Sequence, residues 1–151
     1  MADGVSQLVA APPEAVWAAF MDPAVLVEWL PPAQMTGVID DFDLRVGGGY
    51  RMSLFYPPDE REFRGKTTER EDRLTARFVA LSPPGRMVQA ITFESPDPAF
   101  HGEMTMTWTF EPAPGGTRVT VVTENLPPGV RAEDNDEGAR LSLEQLARRF
   151  A

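Results

Sequence analysis

The sequence predicts an α+β fold: a curved antiparallel β-sheet wrapped around a long C-terminal α-helix, with two short helices after the first strand. Three observations predict it. The stretch from 131 to 151 places Ala139, Leu143, Leu146, Ala147 and Phe150 at helical spacing, in one apolar stripe. Acidic residues (Glu133, Asp134, Asp136, Glu137) crowd its start and Arg148 and Arg149 sit at its end, the order that suits the helix macrodipole. Between residues 34 and 125 the apolar period is two almost throughout, which is the mark of strands. A sheet of that size, offered one long helix, buries its apolar face by curling around it.

The elements follow in order. Residues 5–10 are a short first strand, ended by Pro12 and Pro13. Proline suits the first turn of a helix, and Val16, Trp17 and Phe20 then share one helical side, with Trp17 anchoring the helix in the core. Asp22-Pro23 supplies an N-cap and a first-position proline for a second helix, which stops before Pro31-Pro32. Residues 35–41 begin the strands, and Gly47 to Gly49 mark a turn or bulge. Residues 50–56 place Tyr50, Met52, Leu54 and Tyr56 on one face. Pro57-Pro58-Asp59 turns the chain, and the middle of the charged stretch 60–70 reads as a weak strand. Residues 74–81 and 87–94 are strands joined through Ser82 to Gly85, and 95–99 is a loop. The clearest strand is 103–111, with Met104, Met106, Trp108 and Phe110 opposed to Thr105, Thr107 and Thr109. Pro114 to Gly116 turns into a last strand at 117–124, and the closing helix spans 131–150.

Composition narrows the function. The 151 residues suit a single domain over 1–151 with one core. A net charge of -9 argues against nucleic acid or an anionic membrane held by broad electrostatic attraction. With no cysteine, disulfides, thiolate nucleophiles and cysteine metal sites are excluded. No apolar run approaches the ~20 residues of a membrane span, and the start has no signal-peptide pattern. The expected location is cytoplasmic.

A family resemblance rests on Ala11-Pro12-Pro13-Glu14-Ala15-Val16-Trp17, Asp22-Pro23 and Trp29-Leu30-Pro31-Pro32. It continues in Gly47-Gly48-Gly49-Tyr50-Arg51-Met52, Ser82-Pro83-Pro84-Gly85-Arg86, Gly115-Gly116-Thr117 and the helical stretch from Leu143 to Leu146. With these the chain resembles the START-like (SRPBCC) helix-grip superfamily, which includes polyketide cyclases, pollen allergens and lipid-transfer proteins. Within it, the chain is most similar to the Aha-type family, named after the activator of the heat-shock-protein ATPase. The resemblance spans nearly the whole chain. It implies the helix-grip fold, with an elongated cavity between sheet and last helix and the first two helices closing one end. Its motifs are structural and say little about chemistry.

Strand parity then nominates cavity-lining residues. Met104, Met106, Trp108 and Phe110 form one wall, Ile91 and Phe93 a second, and Tyr50 and Met52 with Leu54 a third. Leu143 and Leu146 face them from the helix, and Trp29 and Met35 lie near the mouth. The competing reading is plain core packing, because pockets and cores draw on the same residue types. His101, the one histidine, is a general-base candidate by residue type. If its strand extends that far, it shares parity with Glu103 and points away from the methionines, which favours a surface histidine. The acidic run 133–137 lacks the spacing of a calcium loop. Gly65-Lys66-Thr67 fails as a phosphate loop, since Glu60 stands where a glycine is required. Strand arginines (Arg51, Arg64, Arg77, Arg86) read as outward charges guarding the sheet.

No catalytic residue, metal or cofactor is therefore assigned. The first expectation is a binding protein holding a small hydrophobic or amphipathic ligand between sheet and helix. The second is a protein-interaction domain, a co-chaperone-like ATPase activator with a protein partner. The third is an enzyme of the cyclase or hydrolase kind, which would need a polar pair inside the cavity. Fold alone separates none of them.

Overall fold

In a computed structural model, residues 4–32, 35–57, 65–68 and 71–151 are described. Strand β1 (Val5–Val9) leads into helices α1 (Pro13–Met21) and α2 (Pro23–Trp29). Strands β2 (Thr36–Asp43), β3 (Gly49–Phe55), β4 (Glu71–Ser82), β5 (Arg86–Glu94), β6 (Glu103–Ala113) and β7 (Gly116–Glu124) follow, and helix α3 (Ala132–Arg149) ends the chain. The strands form one seven-stranded sheet in the order β1-β7-β6-β5-β4-β3-β2, with antiparallel pairing throughout. This is the helix-grip arrangement.

Local chemistry explains the helix starts. Pro13 opens α1 at a position where its missing N–H costs nothing. Asp22 caps α2, its Oδ1 accepting from the Ala24 N–H at 3.0 Å. The end of α2 is completed from elsewhere. Ser142 donates to the Leu30 carbonyl at 2.6 Å, and Gln145 donates to the carbonyls of Trp29 and Pro31 at 2.6 and 2.8 Å. Carbonyls that a helix end leaves unpaired thus clamp α2 to α3. An Arg149–Glu28 ion pair lies on the outside of the same joint.

The element boundaries differ from the sequence reading by a few residues, most of all at β4 and in the connection before β6. Strand β4 starts three residues before Leu74, because Glu71, Asp72 and Arg73 pair with Phe55, Leu54 and Ser53 of β3. A short 3-10 turn, Pro98–Phe100, occupies part of the expected loop, capped by Asp97. The weak strand expected within 60–70 falls mostly outside the described residues, as do Pro58, Asp59 and Arg64; Thr68 makes a single bridge to Glu71. Gly49 is required where β3 meets β4: its φ is +154°, and a Cβ there would stand 1.9 Å from the Ala76 carbonyl oxygen.

The solvent face of the sheet carries the expected charges. Arg51 pairs with Glu94 at 2.7 Å and Arg77 with Glu103 at 3.4 Å, all of them well exposed. Such pairs add little stability, but they keep the outer face wet.

Candidate functional site

The concave face and α3 enclose two different interiors. Near α1 and α2 the space is filled. Phe20 meets Trp29, Trp108 and Phe110 edge-on, at centroid distances of 4.6, 4.9 and 4.9 Å, and Trp17 meets Phe110 at 5.5 Å. Trp29 also donates its indole N–H to the Ala19 carbonyl at 3.0 Å. Trp17 is half-buried at the margin of this cluster.

Towards the first turns of α3 the sheet stands away from the helix and leaves a cavity of about 780 Å³. That is room for a drug-sized molecule. Strand β6 contributes Met104, Met106 and Trp108, β5 contributes Ile91 and Phe93, and β3 contributes Tyr50 and Met52. Antiparallel register puts them on one face: Ile91 lies opposite Met104, and Trp108 opposite Met87. Met35 lines the cavity from the connection after α2. The exposed Arg131, Asp134 and Glu137 of the α3 start border it and mark its mouth.

Four expected lining residues are absent from the walls. Trp29, Phe110, Leu143 and Leu146 belong to the filled end, each no more than 2% exposed. The reason lies along the helix. Leu143 and Leu146 come from the later turns of α3 and are fully buried, while Asn135, Gly138, Ala139 and Leu141 border the cavity. Parity assigned the correct face of β6, but it does not say how far along a strand the room extends.

The walls also hold polar groups that the sequence reading passed over. Trp108 donates its indole N–H to Gln89 Oε1 at 3.1 Å, and Gln89 Nε2 donates to the Tyr50 hydroxyl oxygen at 3.1 Å. All three side chains are buried. Burial raises the Tyr50 pKa from 10.0 to about 12, against the smaller opposing effect of the Gln89 hydrogen bond. The signal for Gln89 was visible: it is the one polar residue on the apolar parity of Met87, Ile91 and Phe93.

A second polar group closes another part of the wall. Asp72, 5% exposed, accepts from the Lys66 backbone N–H at 2.6 Å, from Lys66 Nζ at 3.1 Å and from the Tyr56 hydroxyl at 3.1 Å. Lys66 Nζ also lies 4.9 Å from the Phe93 ring centroid and 5.7 Å from that of Phe100. Nothing in the sequence pattern joined these residues, because Asp72 precedes the recognisable strand and Lys66 sits in the charged stretch.

His101 lies outside this site. It is exposed, with Nε2 2.7 Å from the Ser95 carbonyl oxygen, and it does not border the cavity. Among the described residues no three carboxylate or imidazole groups gather as a metal would need, and no helix is long and apolar enough to cross a membrane.

Residues 10–151 match the family described as "Activator of Hsp90 ATPase homolog 1-like protein". The chain belongs to this family. Among solved structures, a protein of Chromobacterium violaceum shares 29% identity at a TM-score of 0.84, over 97% of this chain and 94% of the other. A protein of Rhizobium loti shares 27% identity at a TM-score of 0.70, over 98% and 95% of the two chains. A member of this activator-like family from Aeromonas hydrophila, at 18% identity and a TM-score of 0.72 over 98% and 90%, shares the fold. Comparison with curated proteins gave no match.

Proposed function

We propose that the protein binds a small hydrophobic or amphipathic molecule in the cavity between the sheet and the first turns of α3. The observation that supports this most is the space of about 780 Å³ itself, lined by Met52, Ile91, Phe93, Met104 and Met106. Protein interiors ordinarily leave few voids larger than a water molecule. Methionine walls adapt to ligands of varied shape. The exposed Arg131, Asp134 and Glu137 at the mouth would leave the polar end of an amphipathic ligand in water.

A naphthyl probe such as acetylnaphthalene should bind saturably, one per chain, and native mass spectrometry of the purified protein should find a co-purified small molecule. Gly138 borders the cavity, and an added Cβ there meets nothing within 4 Å. Gly138→Phe should therefore keep the fold and weaken probe binding at least ten-fold. Full affinity in that variant would overturn the reading. The family description raises activation of an Hsp90-type ATPase as the second reading. The cavity favours the first reading, so the expected result of adding this protein to such an ATPase is unchanged turnover; a several-fold rise would reverse the ranking.

A further inference from the structure

The direction of the hydrogen bonds inside the cavity determines what the ligand must carry. An indole N–H can only donate. Trp108 therefore fixes the Gln89 side chain with its oxygen towards the indole at 3.1 Å. The Gln89 amide nitrogen is then the atom that faces Tyr50, and an amide nitrogen can only donate, so the Tyr50 oxygen accepts at 3.1 Å. The Tyr50 proton is left to point elsewhere, and among the described residues no acceptor receives it. Tyr50 borders the cavity.

The ring that carries this proton is held firmly. Phe42 stacks on Tyr50 at 5.6 Å with an 11° interplanar angle, and Phe78 packs at 6.0 Å on edge. Phe20 braces Trp108 in turn at 4.9 Å. The three-residue chain is thus a one-way relay that ends in a fixed donor on an apolar wall. A buried donor without an acceptor costs free energy, and a ligand oxygen that takes the proton recovers it.

We propose that the ligand carries an uncharged hydrogen-bond acceptor, a ketone, ester or similar carbonyl oxygen, that docks on the Tyr50 hydroxyl. The acceptor is uncharged because Trp108, Gln89 and Tyr50 are themselves uncharged and buried, and the cation in the same cavity wall, Lys66, is already neutralised by Asp72 at 3.1 Å. This rests on the cavity being a binding site, and it adds the polarity of the occupant.

The test uses acetylnaphthalene and ethylnaphthalene, the same ring system with and without the carbonyl, titrated calorimetrically into the wild-type protein. The ketone should bind about five-fold or more tighter, as one net hydrogen bond allows. The infrared carbonyl stretch of the bound ketone should lie below its value in alkane solvent. Tyr50→Phe should erase the preference and the frequency shift. Equal binding of both probes to wild type, or an unshifted carbonyl, would overturn this inference and leave the cavity reading standing. Failure of both probes to bind would overturn the two together. The wild-type comparison needs no variant, so a Tyr50→Phe protein that does not fold would not blunt the test.

Discussion

The two halves of helix α3 face different interiors. The later turns bury Leu143 and Leu146 completely and lock onto the end of α2 through Ser142 and Gln145. The earlier turns bring Asn135, Gly138 and Ala139 over the cavity, and their outer side is held by Arg140 between Glu137 and Glu144. One helix, gripped by one sheet, is thus an anchor at one end and a roof at the other. The difference comes from side-chain size. Leu143 and Leu146 fill the gap, whereas Gly138 and Ala139 leave it open. Stability should therefore be concentrated in one half and adaptability in the other.

The largest effect is expected at the anchor. Leu146→Ala should cost about 2–5 kcal/mol, because the closed packing around it cannot collapse into the gap. Urea denaturation would measure it, and an unchanged midpoint would mean that the two halves do not differ as described.

The next effect comes from the roofed half and depends on pH. Tyr50 has a folded-state pKa raised by burial from 10.0 to about 12. The unfolded chain therefore loses this proton first as pH rises. The stabilising contribution is fully present below pH 10 and is lost between pH 10 and 12, a total of about 3 kcal/mol. Other groups titrate in the same window, so the readout is the difference between wild type and Tyr50→Phe. The wild type should lose more stability than the variant over that range. Parallel pH profiles would place Tyr50 in contact with solvent instead.

The smallest effect has the opposite sign. Gly138→Ala should stabilise the protein by about 0.5–1 kcal/mol, since alanine is the better helix former and the new methyl meets nothing within 4 Å. The melting temperature should rise by about 1–4 °C. A loss of stability would show that the roof is closely packed after all.

The same contrast explains what the sequence disclosed. Alternation in β6 was strong enough to assign Met104, Met106 and Trp108 to the inner face, and the stripe on α3 placed Leu143 and Leu146 inward. The resemblance carried the fold further than periodicity alone could. What stayed hidden was position along the elements. Phe110 shares its face with Met104, yet it lies two residues beyond Trp108, on the filled side of Phe20. Trp29 has the residue type of a cavity wall but spends its indole N–H on Ala19. The Lys66–Asp72 pair joins a charged stretch to a strand start, a tertiary contact with no local pattern. Gln89 is the exception: its polarity on an apolar face was legible, and only its partners needed coordinates.

Methyl NMR during titration with acetylnaphthalene tests the division most directly. Naphthalene ring currents should shift the methyl signals of Met52, Met104, Met106 and Ile91 strongly, while those of Val16, Val119, Leu143 and Leu146 stay in place. Shifts spread evenly over both sets, or confined to the second, would contradict the account of an anchored half and a binding half.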